Sequence, residues 1–173
     1  MKTYLEIKVP INYDDLWFQH LRASTQGIPV RWQEHYYHIT MAFCDEVPID
    51  VDLRPILEKH LAGHKAPVMT FDVLDAFDAA SEMYIVHLGV SHIPEEFSTW
   101  VDEIRTGLAA AGCMIQSDFK LHVTLGRIRD RSWELSRIQE IVRSTPPPSM
   151  TLQLTDVDYR VYRGRTLYET KLK

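Results

Sequence analysis

A chain of 173 residues with 45% hydrophobic and 25% charged residues is long enough to bury a core, and 1–173 reads as a single domain built from two intertwined lobes. A formal charge of −5 excludes a broad electrostatic grip on nucleic acid; it leaves local basic patches, at Lys120, Arg127, Arg129 and Arg131 and at Arg160, Arg163 and Arg165. No apolar run nears the ~20 residues of a membrane span, the start Met1-Lys2-Thr3-Tyr4-Leu5-Glu6 is not a signal peptide, and Cys44 and Cys113 form neither a disulfide framework nor a metal-ligand spacing, so the expectation is a cytoplasmic monomer.

Tyr4 to Val9 alternates in polarity and stops at Pro10, which predicts a first strand. Asn12 is placed to cap a helix running to about Ser24, with Leu16, Trp17 and Leu21 on one face. Gly27-Ile28-Pro29 breaks that pattern, and Arg31-Trp32 leads into a strand over 36–44. Asp50 or Asp52 can cap a helix that ends near Gly63. Residues 67–77 and 82–90 predict an antiparallel hairpin across Asp78-Ala79-Ala80-Ser81. A helix from Pro94 to Ala111 is stopped by Gly112, and a strand over 119–128 follows. Trp133 to Arg143 reads as a short helix, ended by Thr145-Pro146-Pro147-Pro148. Two last strands, 150–162 and 166–172, join across Arg163-Gly164-Arg165. Roughly seven strands and four helices, mostly antiparallel, define an α+β fold. The order strand, helix, strand, helix in the first half is echoed around 82–143, which predicts two similar lobes.

The strands over 36–44 and 119–128 carry the same phrase, His38-Ile39-Thr40-Met41 and His122-Val123-Thr124-Leu125. Both are rich in β-branched and aromatic residues. Side chains alternate along a strand, so each His and its Thr share one face, while Ile39, Met41 and Phe43, and likewise Val123 and Leu125, share the other. A single copy would read as a satisfied core or edge histidine; two copies read as a pair of imidazoles and hydroxyls offered to one cleft. Two imidazoles suit a reaction needing an acid and a base together, since one can be neutral while the other is charged near neutral pH. The Thr hydroxyls can donate to the oxygens of a phosphate held between them.

Metal chemistry is the competing reading. Neither motif has an acid or Cys at ligand spacing, and Thr is a poor zinc ligand. Asp118 precedes His122 by four residues, in strand parity with it, but in a stretch that reads as a turn. His60 and His64 stand at i,i+4, yet Gly63 ends their helix, and last-turn histidines commonly serve the helix dipole. His20, His35, His87 and His92 default to structural or surface roles. There is no G-x-S-x-G elbow, Cys44 lacks a base, and the seven Gly form no phosphate-cradling loop.

The paired His-x-Thr-x motifs, about eighty residues apart, resemble those of the 2H phosphoesterases, which include the LigT-like RNA 2′,3′-cyclic phosphodiesterases and 2′-5′ RNA ligase-like proteins. Arg31-Trp32 ahead of His38-Ile39-Thr40-Met41-Ala42-Phe43, the run Phe119-x-x-His122-Val123-Thr124-Leu125-Gly126-Arg127, and the closing hairpin between Tyr159 and Tyr168 carry the likeness further. The resemblance implies a LigT-like bilobal α+β fold, two pseudo-symmetric and mostly antiparallel lobes around a central cleft. It implies cofactor-free and metal-independent opening of a 2′,3′-cyclic phosphate to a 2′-phosphate, on an RNA end or a cyclic nucleotide. Within it, His122 would be the proton acceptor that activates water, His38 the proton donor to the leaving 3′ oxygen, and Thr40 and Thr124 would hold phosphate oxygens; the histidine roles exchange if the substrate lies the other way round. Leu121 stands where the family often has Pro, and Cys44-Asp45 where it often has Leu-Gly. Arg127 matches the family's arginine, but its strand parity is opposite to that of His122, so it reaches the phosphate only through a twist or bulge. Trp32, Tyr36 and Phe119 are the candidates for stacking on a base. A 2′,5′-phosphodiesterase or ligase with the same site, and a catalytically silent nucleotide-binding module, are the alternatives.

Overall fold

The computed structural model describes residues 1–80, 82–116 and 119–173; Ser81 and Asp118 lie outside the described residues. In the first half, β1 (Thr3–Lys8) leads to α1 (Leu16–Ser24), the short β2 (Arg31–Trp32) and the first motif strand β3 (His38–Glu46), followed by α2 (Arg54–Leu61). Then come β4 (Val68–Phe71), β5 (Val73–Ala79), β6 (Met83–Gly89), α3 (Glu95–Ala110), the short β7 (Met114–Ile115) and the second motif strand β8 (Val123–Ile128). The chain closes with α4 (Leu135–Ser144), β9 (Met150–Gln153), β10 (Asp156–Val161) and β11 (Thr166–Lys171). None of the helices is long and apolar enough to cross a membrane among the described residues.

The main sheet runs β11-β10-β1-β3-β8-β6-β5, with β2 on β8 and β7 on the end of β3. It is antiparallel throughout. The motif strands β3 and β8 are its centre and pair through Ile39 and Val123. Outward from them β1 mirrors β6, and β10 mirrors β5, which is the twofold order the repeated pattern predicts. The lobes are thus two halves of one sheet that meet along the motifs.

Two predicted strands are each divided in two. Met69 and Phe71 are buried, and the next buried positions are Leu74 and Ala76. That three-residue step breaks the alternation at Asp72, whose carboxylate accepts the Ser91 N–H at 2.8 Å and hydroxyl at 2.6 Å. The same step separates Leu154 from Val157. The outer pieces, β4 and β9, leave the main sheet and pair with each other. A parity change forces this, because one strand cannot keep one face in the core across it.

One face of the sheet is dry. Ile39, Met41, Val123 and Leu125 are fully buried on it. Phe97, Trp100, Val101, Ile104 and Leu108 form the apolar stripe of α3, which packs on β3 and α2. Ile138 and Val142 bury α4 against β5. The α1 helix differs from expectation: it starts after Asp15, whose carboxylate accepts the Asn12 N–H, and it buries Phe18 and Leu21 while Leu16 is exposed. Arg22 stacks on Tyr13 and Phe18, which explains the rotation of that face. Cys44 and Cys113 are free and buried.

Candidate active site

Both motif strands bulge at the same place. Against β1 the register passes from Leu5↔Ala42 to Glu6↔Thr40, so Met41 is the extra residue. Against β6 it passes from Val86↔Gly126 to His87↔Thr124, so Leu125 is the extra residue. A bulge shifts side-chain parity by one. On β3 this turns Phe43, expected on the buried face, into the cleft; on β8 it does the same for Arg127. Arg127 therefore shares a face with His122 and Thr124, through the bulge that its parity required. β3 and β8 pair at Ile39 and Val123, the residues that follow His38 and His122, so the two histidines flank one crossing, with His122 just ahead of the start of β8. His38 and His122 both line the cleft at this crossing, and the charge of each histidine bears on the same site.

Gly126 lets β2 close over this strand. A Cβ there would meet Val30 Cγ1 at 2.5 Å and Trp32 Cε3 at 2.9 Å. The close approach lets the Gln33 N–H donate to the Leu125 carbonyl at 2.7 Å. The Gln33 side chain then accepts from Arg127 at 3.2 Å and donates to the His35 carbonyl at 2.8 Å, which orients the guanidinium. Arg31 lies opposite Arg127 across β2 and β8. Burial, then the neighbouring charges of Arg129 and Arg31, disfavour the charged form of Arg127. Like charges set opposite one another repel, and an anion between them would relieve that repulsion.

His122 is held by Nδ1, 2.8 Å from the Lys120 carbonyl. A carbonyl only accepts, so Nδ1 carries the hydrogen and Nε2 keeps a lone pair. Burial lowers the pKa of His122, the Lys120 carbonyl opposes that, and the Lys120 and Arg127 charges lower it further. Beside it stands His87, 5.9 Å away between ring centroids, with Phe77 edge-on to both rings. His87 is 6% exposed with its Nδ1 unpartnered, and burial, His122 and Lys120 push its pKa down to about 4. His87 is buried, one of the two roles expected of it, and its place is beside His122. It faces Thr124 across β6 and β8 and stands behind His122 without lining the cleft; its parity with Thr124 follows from pairing, which a sequence does not display.

The first lobe holds a carboxylate at the matching place. Glu6 faces Thr40 across β1 and β3 as His87 faces Thr124. Its Oε2 lies 3.2 Å from His38 Nε2 and its Oε1 3.6 Å from the Arg160 guanidinium. The Glu6 side chain is 0% exposed, and neither of its oxygens has an aligned hydrogen bond. Burial raises the pKa of Glu6 and lowers that of His38. Asp158 adjoins Glu6 across β1 and β10; it accepts the Tyr36 hydroxyl at 2.7 Å and pairs with Lys8 at 3.5 Å. Tyr36 takes a φ of 70°, a strained conformation that turns the chain into the motif, and its ring sits between Lys8 and Arg160. The sequence offered one signal for Glu6, its place on the polar face of an alternating strand.

These side chains line one cleft of about 580 Å³. His38, Thr40, His122, Thr124 and Arg127 all reach it, with Trp32 and Tyr36. Among the described residues no side-chain hydrogen bond occupies the hydroxyl of Thr40 or Thr124, which leaves both free to donate. Arg31, Arg129 and Arg163 extend the basic wall, and Tyr4, Phe43 and Tyr162 form an aromatic cluster at ring distances of 5.7–6.4 Å. Phe119 lies beside Arg105 and does not line the cleft. Of the basic patch read around the second motif, Lys120 lies over Phe77 and Arg131 pairs with Asp78 at 2.8 Å. His64 stacks on Trp100 at 4.1 Å, away from both motifs, and His60 lies in the last turn of α2. No three His, Cys, Asp or Glu among the described residues group to hold a metal ion.

The family model described as the 2′-5′ RNA ligase superfamily matches residues 13–165. The chain belongs to this superfamily. The superfamily is part of the 2H phosphoesterases, so the chemistry is that of a phosphoesterase or an RNA ligase-like enzyme. Solved structures share the fold. Escherichia coli LigT complexed with 3′-AMP is 22% identical, with a TM-score of 0.62 over 99% of this chain and 95% of that one. The Thermus thermophilus protein TT0787 is 14% identical, with a TM-score of 0.59 over 99% and 97%. Kluyveromyces marxianus Usb1 with uridine monophosphate is 11% identical, with a TM-score of 0.62 over 99% and 98%. No curated protein matches the sequence.

Proposed function

We propose that the protein hydrolyses 2′,3′-cyclic phosphates, on RNA ends or small nucleotides, to 2′-phosphates by metal-independent two-histidine catalysis. The observation that carries the reading is that two His-x-Thr strands, bulged alike, deliver both imidazoles and both hydroxyls to one arginine-walled cleft. Water attacks phosphorus as His122 Nε2 accepts its proton, and His38 protonates the departing 3′ oxygen. Thr40, Thr124 and Arg127 hold the phosphate oxygens on which charge accumulates. Arg31 and Arg129 add positive charge to the cleft wall beyond Arg127, which supports a substrate with a second phosphate, an RNA end, over a free mononucleotide. Tyr4, Phe43, Tyr162 and Trp32 offer faces for bases. A 2′,5′-phosphodiesterase or ligase would use the same groups.

The test is product mapping on an oligonucleotide ending in a 2′,3′-cyclic phosphate, with chelator present. A 2′-phosphate end formed at undiminished rate is the expected result. A 3′-phosphate product, cleavage only of 2′,5′ linkages, or loss of activity to the chelator would each refute it.

A further inference from the structure

The pseudo-twofold that equates the two motifs does not say which histidine is the acid. Behind each motif Thr, across the paired strand and at the same bulge, stands one residue: Glu6 on β1 and His87 on β6. These two positions break the symmetry. Glu6 is fully buried, meets His38 Nε2 at 3.2 Å and Arg160 at 3.6 Å, lies within the influence of the Tyr36 hydroxyl, and among the described residues has no well-aligned hydrogen bond on either oxygen. A fully buried carboxylate met only by loosely aligned partners calls for an explanation.

We infer that Glu6 is the positioning residue that makes His38, rather than His122, the acid: carboxyl and imidazole hold one proton between them when substrate arrives, and that proton leaves on the departing sugar oxygen. The inference rests on the two-histidine reading above. Burial, opposed by the Tyr36 carbonyl and reinforced by the charges of His122, Arg127 and Arg160, holds the pKa of His38 down to about 4 even beside Glu6, while burial raises that of the Glu6 carboxyl, so the proton of the pair rests on Glu6 and reaches His38 from there. The groups facing Glu6 fix the count at one proton. From β10 come Asp158, which opposes a second negative charge, and Arg160, whose guanidinium at 3.6 Å tolerates one. From β3 comes His38; Tyr36 approaches from the preceding loop, and Tyr4 and Lys8 flank Glu6 on its own strand, with Lys8 engaged by Asp158.

Among the described residues the other lobe lacks this device. His87 faces His122, Phe77 and Lys120, and Asp75, its carboxylate neighbour across β5 among the described residues, is held by Arg143 at 2.8 Å. Among the described residues nothing there holds a proton for His122, and its Nδ1–H to the Lys120 carbonyl keeps Nε2 open as a base. In turnover the bond from water oxygen to phosphorus forms as the bond from phosphorus to the 3′ oxygen breaks. The water proton goes to His122 and the shared proton to the 3′ oxygen, leaving Glu6 as carboxylate and His38 neutral. Exchange with solvent discharges His122 and refills the pair.

Two substrates separate this role from a structural one: a 2′,3′-cyclic mononucleotide, whose alkoxide must be protonated, and a nitrophenyl phosphodiester, whose nitrophenolate leaves without a proton. Glu6→Gln should lower kcat on the cyclic substrate by about 100-fold with KM little changed. Its alkaline limb should move to lower pH, and its loss on the nitrophenyl ester should be under about tenfold. His38→Ala should show the same contrast, and His122→Ala should lose both. Equal losses on the two substrates, or an unmoved alkaline limb, would overturn the inference. If the unmutated protein turns over neither substrate, the cyclic phosphodiesterase reading fails by itself, and nitrogen-15 titration of the His38 ring still tests the pair. Its midpoint should fall by about one pH unit or more in Glu6→Gln; an unchanged midpoint overturns the inference. Should Glu6→Gln not fold, the Glu6 carboxyl carbon and the His38 ring nitrogens of the unmutated protein should titrate in step, and independent midpoints would be equally fatal.

Discussion

Gly126→Ala adds a single carbon at the tightest crossing in the site. That carbon would lie 2.5 Å from Val30 Cγ1, 2.9 Å from Trp32 Cε3 and 3.2 Å from Trp32 Cζ3. Carbon pairs rest at about 3.5–4.0 Å, so β2 must lift from β8 by roughly an ångström. Val30 can turn aside; the Trp32 ring, packed edge-on against Phe18 at 5.7 Å, has less room. Overpacking of this kind costs about 1–3 kcal/mol. At roughly 2–4 °C per kcal/mol for a domain of this size, Tm should fall by about 2–12 °C. Lifting β2 also withdraws Gln33 from the Leu125 carbonyl and from Arg127, so KM for the phosphodiester should rise more than kcat falls. The assay is thermal unfolding together with steady-state kinetics on a cyclic nucleotide. Val30→Ala in the same chain removes the nearest obstacle, and the double variant should be more stable than the sum of the two single effects predicts. Unchanged Tm and KM in Gly126→Ala, or strict additivity in the pair, would show that the crossing does not hold the arginine wall in place.

Replacing His38 or His122 with Ala should each reduce kcat on a 2′,3′-cyclic nucleotide by about 100-fold or more while the far-ultraviolet circular dichroism stays unchanged; substantial turnover in either variant would refute their assignment. His87 is buried as the neutral base, with a pKa near 4 folded against the ordinary 6.5. The unfolded chain therefore takes up the proton first, and stability falls as pH drops from about 6.5 towards 4, by up to roughly 3 kcal/mol. His87→Gln should flatten the dependence of Tm on pH in that window, and an equally steep dependence would place its origin elsewhere. Arg31→Ala should raise KM for a dinucleotide ending in a cyclic phosphate by about tenfold, the value of a charge-assisted contact, and leave a cyclic mononucleotide nearly unaffected; equal effects on both would remove the case for a second phosphate on that wall.

What was legible in the sequence was local. The four helices, the hairpin of β5 and β6, and the faces of Ile39, Thr40, Val123 and Thr124 follow from residue alternation and from the stops at Gly63, Gly112 and the three prolines. The motif histidines were legible because the phrase is repeated and repetition survives without coordinates. Phe43 was assigned to the wrong face, and the strands over 67–77 and 150–162 were read as unbroken. In each case one residue's change of parity separates the two readings, and a bulge or strand break leaves little trace in composition.

Sequence by itself determined that two like strands present His and Thr from one face, and that the halves repeat, because side-chain direction along a strand is a local property. Only the tertiary structure decided what stands behind those strands. Glu6 lies thirty-two positions before His38 and His87 thirty-five before His122; their places in the site come from hydrogen-bonded register between strands distant in sequence. Burial, which sets the protons these groups carry, is likewise a sum over the whole fold.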